Sequence, residues 1–292
     1  MASLLVQVKA KMAIYAHEKV RGVLEGEYGS VFKGRSMDFD DLREYIPGDD
    51  VKDIDWKATA RSGQTLIRRY IAVRKHNILL VVDTGRNMSA VTSIGASKKD
   101  TAVMLAGVIG TLALKHGDFI GMVAGNSERN YYLPLKSDRI HLEQLLQKID
   151  TSVSLDAPKS NLASQLEFVA RNLRRKMMVI VISDEVPFDD QLRSSVRRLR
   201  AQHEMLWLVV SDADLSQSGK LQSVETLEML PEYLRTNPKV LAAYAESEAK
   251  ASQEFQQSLS RLAISSERVN SEEDAVRRVF HLLERHKSAH RA

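Results

Sequence analysis

The run Ile78-Leu79-Leu80-Val81-Val82 contains no polar residue and ends in Asp83. An unalternated row of branched aliphatic side chains predicts a strand buried on both faces. Such a strand needs helices above and below it. Two further runs of the same kind follow, Met177–Ile182 and Met205–Val210, and the first of them also leads into an acid, Asp184. Helical stretches separate these runs. The alternation predicts an α/β fold: a doubly wound, mainly parallel sheet flanked by helices. Sheets of this kind bind ligands just beyond the carboxyl ends of their strands. Asp83 and Asp184 therefore mark the edge where binding or chemistry is expected.

The rest of the chain is read around that sheet. Leu4, Leu5, Val8, Met12 and Tyr15 recur at helical spacing and predict an opening amphipathic helix. Glycines then punctuate Lys19–Leu24 and Tyr28–Phe32, which read as strands. The stretch Asp38–Arg74 is dense in acids and without a clean period until Thr65–Val73, a further strand. Residues 1–75 are thus expected to form an N-terminal helix and a β-rich extension, and 76–287 the main domain. Within the latter, Lys98–Leu114 reads as a buried helix stopped at Gly117, and Phe119–Leu133 as a hairpin. Ser160 reads as the N-cap of a helix through Leu162 and Leu173. The pattern breaks down around 212–245, an expected insertion. Ile264–Val269 reads as an edge strand, and Glu272–Lys287 as a closing helix.

Composition narrows the chemistry. The 292 residues are 43% apolar, enough for a core, and include no cysteine. Disulfides, thiolate metal sites and a cysteine nucleophile are excluded. The balance of 42 basic against 38 acidic residues is mild and does not point to nucleic acid. Two basic clusters, Arg171 to Lys176 and Arg193 to Arg200, carry no aromatics for base stacking and read as solvated helix faces. The first residues are not a secretory signal, since Gln7, Lys9 and Lys11 interrupt them. The longest apolar segment, Thr101–Leu114, is too short to span a bilayer. The expectation is a cytoplasmic protein with no membrane segment.

Two strand-end acids on neighbouring strands can hold a hard divalent ion such as magnesium, which prefers oxygen ligands. Asn87 could add an amide oxygen and Ser160 a hydroxyl. In the alternative reading, both acids cap loops and Ser160 caps its helix. Upstream, Asp49, Asp50, Asp53 and Asp55 either dock a basic partner or pair with Arg43, Arg61, Arg68 and Arg69. Their closeness in the chain favours the second. Trp56 is expected in the core.

These residues also carry a resemblance. Phe39, Leu42-Arg43, Tyr45, Pro47-Gly48-Asp49-Asp50, Ile54-Asp55-Trp56 and Ala60-Arg61 look like the signature of the bacterial family called domain of unknown function 58. Asp83-Thr-Gly-Arg-Asn-Met resembles the start of the metal-ion-dependent adhesion site of von Willebrand factor type A domains, Asp-x-Ser-x-Ser. The resemblance implies a type A-like domain behind a family-specific N-terminal region. It places Asp83, Asn87, Ser160 and Asp184 at the metal position and magnesium as the cofactor. Gly85 and Asn87 depart from the motif's two serines, so the site is degenerate. The implied role is non-catalytic: a protein-binding adaptor or scaffold acting with a MoxR-type AAA+ ATPase and other type A domain proteins. Asp49, Asp50, Asp53, Asp55 and Arg86 are the candidate partner contacts. The alternative is a magnesium-dependent phosphohydrolase with Asp83 as nucleophile. Such enzymes carry a general acid two residues later, and Gly85 stands there.

Overall fold

The computed structural model describes residues 3–18, 35–73, 75–92, 94–212 and 237–289. The expected strands Lys19–Leu24 and Tyr28–Phe32 lie outside these residues. The chain divides into a large unit, Met1–Val31 with Asn77–Ala292, and a smaller one, Phe32–His76.

The large unit is built on a six-stranded sheet. Its strands are β3 (Asn77–Asp83), β4 (Phe119–Gly125), β5 (Asn130–Lys136), β6 (Met178–Asp184), β7 (Glu204–Val210) and β8 (Ser265–Val269). The order is β5-β4-β3-β6-β7-β8, and every pairing is parallel except the β4–β5 hairpin. Every residue of β3 and β6 is buried, as their unbroken apolar runs demand. Helices α3 (Lys98–Lys115), α4 (Arg139–Ser152), α5 (Leu162–Asn172), α6 (Asp190–Gln202), α7 (Pro238–Arg261) and α8 (Glu272–Ala289) complete the unit. The doubly wound, mainly parallel sheet expected from the sequence is present.

Helix α1 (Leu4–Glu18) belongs to this unit and not to the smaller one. Leu5 and Val8 are buried, and Val8 packs against Gly107 of α3, where an added Cβ would collide with it. The Glu143 carboxylate of α4 accepts hydrogen bonds from Ser3 Oγ (2.7 Å), Leu4 N (3.0 Å) and Leu5 N (2.9 Å). It thereby satisfies orphan donors at the start of α1.

Topology sets the position of the site. From β3 the chain runs outward to β4 and β5, then returns across the sheet to β6 on the other flank of β3. The carboxyl ends of β3 and β6 therefore face the crevice where the winding reverses. In register, Val82 lies beside Ile182, so Asp83 and Asp184 leave the sheet at nearly the same level.

In the smaller unit, β1 (Arg35–Glu44) pairs antiparallel with β2 (Leu66–Val73). Strand β1 lies in the acid-dense stretch that shows no strand period, so pairing with β2 overrides the local pattern. A 3₁₀ turn, Val51–Asp53, and helix α2 (Trp56–Ser62) join the two strands. Buried Ile54 bridges to buried Ile67. Trp56 is a correction: the expected core residue is 65% exposed on the first turn of α2.

Candidate functional site

The site begins where β3 ends. Asp83 is fully buried, and its Oδ1 accepts the Gly85 amide at 2.9 Å. Thr84 fixes the exit of the strand: its N and Oγ1 both donate to the Gly125 carbonyl of β4, at 2.9 and 3.0 Å. A 3₁₀ turn follows at Arg86–Ser89 and carries Asn87. The turn is fastened to the loop before α5. Arg86 N donates to the Pro158 carbonyl (3.0 Å), and Arg86 Nε to the Ala157 carbonyl (2.9 Å). Arg86, a candidate partner contact, is thus half-buried and occupied in holding two loops together.

Ser160 lies across this junction. It is not the cap of α5, as its place in the sequence suggests. Asn161 is the cap, and its side chain accepts Ser164 N at 3.1 Å. Ser160 instead faces Gly85, where an added Cβ would overlap the nitrogen, Cα and Oγ of Ser160. The glycine in place of the motif's first serine is therefore required by a close approach of two backbones. The Ser160 hydroxyl is within electrostatic reach of the Asp83 carboxyl, yet neither Asp83 Oδ2 nor Ser160 Oγ has a hydrogen-bond partner among the described residues. Burial is the main reason the Asp83 carboxyl is pushed above its ordinary value. Gly85 N, the Ser160 hydroxyl and Lys98 pull the other way.

The second acid has a partner that the sequence reading missed. Lys98 is the first residue of α3, whose N-cap is Ser97. Its side chain is fully buried, and its Nζ donates to Asp184 Oδ2 at 2.9 Å and to Asp212 Oδ1. Burial alone would lower the Lys98 ammonium. The carboxylates of Asp184 and Asp212 hold it above its ordinary value instead. Burial pushes the Asp184 carboxyl up to about 8, with the like charge of Asp212 adding to it and Lys98 opposing it. Asp184 Oδ1 accepts Glu185 N at 2.7 Å. Further out, Arg268 of β8 pairs with Glu185 and takes the Ser252 hydroxyl at 2.9 Å.

The structure therefore brings Asp83 and Ser160 together in one half of the crevice and sends Asp184 to Lys98 in the other. A magnesium ion needs about six oxygens in an octahedron. These residues do not fit it. Asp83 Oδ2 and Ser160 Oγ are the oxygens left over, Gly85 offers no side chain, and an ammonium occupies Asp184 Oδ2, the acid that would complete the site. No group of three or more His, Cys, Asp or Glu side chains placed to hold a metal occurs among the described residues.

Two turns form the rim of this edge. In the first, Thr92 N donates to the Ala96 carbonyl at 2.7 Å, Val91 bridges Ser97, and Gly95 takes a φ of +78°. Its tip exposes Ile94, 61% accessible. In the second, Ala157 N donates to the Ser154 carbonyl, and Leu155 is 57% accessible.

The acids of the smaller unit have local work. Arg43 grips Asp49 with two hydrogen bonds, Nη1–Oδ2 at 2.8 Å and Nη2–Oδ1 at 2.6 Å. This is the internal pairing the sequence favours, and it holds the Asp49 carboxyl below the usual carboxylate range. Asp50 caps the 3₁₀ turn through Lys52 N, and Asp55 caps α2 through Lys57 N and Ala58 N. Asp53 is half-exposed in that turn.

Comparison with known proteins identifies a family and several similar chains. A model of the family described as "Protein of unknown function DUF58" matches residues 41–254. Uncharacterized proteins of Mycobacterium bovis (Mb1516) and Mycobacterium tuberculosis (Rv1480) are each 31% identical over 196 residues. The match covers 67% of this chain and 61% of theirs, so the chain spans less than two thirds of these relatives. Among solved structures, the conserved hypothetical protein BatB of Bacteroides thetaiotaomicron is similar, with a TM-score of 0.47 at 15% identity over 73% of this chain and 99% of that one. A von Willebrand factor type A protein of Catenulispora acidiphila gives 0.42 at 11% identity over 77% and 44%.

Proposed function

The chain belongs to the family described as protein of unknown function DUF58, and from that premise we propose that it is a non-catalytic adaptor that binds a protein partner at the carboxyl edge of its sheet. One observation carries the reading. The edge keeps its two acids buried, while its rim presents apolar side chains on hydrogen-bonded turns. Asp184 is buried and held by Lys98, and Asp83 is fully buried with its Oδ1 taking the Gly85 amide. Gly85 supplies no general acid for the phosphohydrolase alternative. Ile94 and Leu155 stand out from hydrogen-bonded turns on the same edge. Apolar anchors held at low conformational cost are what a protein interface uses.

The partner we propose is a MoxR-type AAA+ ATPase, alone or with another type A domain protein. The resemblance of the Phe39–Arg61 signature supports that choice. Among the described residues, no helix is long and apolar enough to cross a membrane. Exposed Asp50 and half-exposed Asp53 of the smaller unit are a second proposed contact, for a basic surface.

The test is co-purification from the native cell with tagged wild type, Ile94→Asp, Leu155→Asp and Asp83→Asn. All preparations keep magnesium, because the ATPase itself needs it to hold nucleotide. The AAA+ ATPase should be retained by the wild type and by Asp83→Asn, and lost with either charged rim variant. Retention by both rim variants would remove the edge from the interface. Absence of the ATPase from the wild-type preparation would remove the partner.

A further inference from the structure

The crevice where a type A-like domain is expected to hold a divalent ion contains a lysine instead. We infer that Lys98 is the resident cation of this edge, and that the edge is assembled and works without a bound metal.

Position comes first. Lys98 opens α3, and its backbone is fixed by the Ser97 cap and by its own N–H, which donates to the Ala90 carbonyl at 3.1 Å. Lys98, Thr101, Ala102 and Leu105 fall at helical spacing on one face, and all four are fully buried. The ion pairs to Asp184 and Asp212 show that Lys98 turns inward to the strand ends. Its partners come from the ends of two adjacent strands: Asp184 closes β6, and Asp212 follows β7. One ammonium therefore ties the start of a helix to the carboxyl ends of two strands, the connection a coordinated ion would otherwise supply.

Charge and ligand count agree. Asp83, Asp184 and Asp212 bring up to three negative charges to the edge, and Lys98 returns one positive charge within hydrogen-bond distance of two of them. A divalent ion at Asp184 would sit against that buried ammonium, where like charges repel more strongly than in water. Asp83 Oδ2 and Ser160 Oγ would remain as ligands, two oxygens where an octahedral ion takes about six, and position 85 cannot add one without displacing Ser160. Lys98 is also too deeply buried to reach a partner, so it does not bridge to a partner's carboxylate in the manner of an adhesion-site metal. The inference concerns the isolated protein and does not depend on the partner proposed above.

The experiment uses the purified full chain. Thermal unfolding is followed in magnesium, in manganese and in chelator, and free manganese is counted by its electron paramagnetic resonance signal. The midpoint should be the same in all three, and all added manganese should remain free. A midpoint raised by several degrees, or a loss of free manganese that Asp184→Asn abolishes, would overturn the inference. Lys98→Gln and Lys98→Gln/Asp184→Asn are measured beside it. The single variant should melt several degrees lower, and the double should recover part of the loss, because it removes the carboxylate left unpaired. A single variant that melts with the wild type, or a double whose losses add, would contradict the role given to Lys98. The wild-type titration decides alone if the single variant does not fold.

Discussion

Gly85 separates the two accounts of the edge. In a working adhesion motif this position is a serine that binds the metal. In this chain a side chain there would enter the backbone of Ser160. Restoring the serine should therefore weaken the fold and restore nothing. Gly85→Ser is expected to cost about 1–3 kcal/mol, the usual range for overpacking, read as a lowered urea midpoint without gain of manganese binding. Adding Ser160→Gly should not recover the loss, because the overlap includes the Ser160 nitrogen and Cα. The acids were legible in the sequence because each terminates a long apolar run. Lys98 was not. It precedes Lys99, which is one-third exposed and pairs with Asp150 at 3.0 Å, and two adjacent lysines opening a helix read alike. Helix phase does not distinguish them either. Lys98 is four residues before Ala102 and seven before Leu105, and Lys99 equally precedes Val103 and Ala106, all of them buried, so a helix apolar all round gave no sign of which lysine turns inward.

Pairing between elements governs how the sheet responds to acid. Glu204 opens β7 and lies next to His286 of α8, at 3.9 Å, and Lys176 before β6, at 3.0 Å. His286 and then Lys176 hold its carboxyl down at about 2. Only the Lys176 contact has hydrogen-bond length. A carboxyl whose folded value lies below its ordinary 4.5 stabilises the fold above that pH, and the contribution is lost as pH falls toward 2. Glu204→Gln should therefore lower stability at neutral pH and flatten the curve between pH 4.5 and 2, so that variant and wild type converge toward pH 2, measured by denaturant unfolding from pH 2 to 7. The effect is small, because the side chain is one-third exposed and screened by water. Local signals at this scale misled in one place. Ser160 and Asn161 are both good caps, and only the geometry of the turn shows that Asn161 takes the role and leaves Ser160 against Gly85 and Asp83.

At the scale of the molecule, apolar runs alternating with helices specified the sheet, and the long buried helix α3 was equally plain. Strand order was not specified. The adjacency of β3 and β6, and with it the meeting of Asp83 and Asp184, follows from the reversal of winding after β5. The strand Arg35–Glu44 escaped because its acid-rich sequence lacks a two-residue period, and exposed Trp56 because one aromatic residue carries no pattern. The account of the whole rests on the switch-point crevice being closed by an ammonium. A crystal structure of the full chain grown in manganese, with anomalous diffraction recorded at the manganese edge, tests this most directly. The account predicts Lys98 Nζ between Asp184 and Asp212 and no anomalous peak in the crevice. A peak coordinated by Asp83 or Asp184, with Lys98 displaced from them, would contradict it.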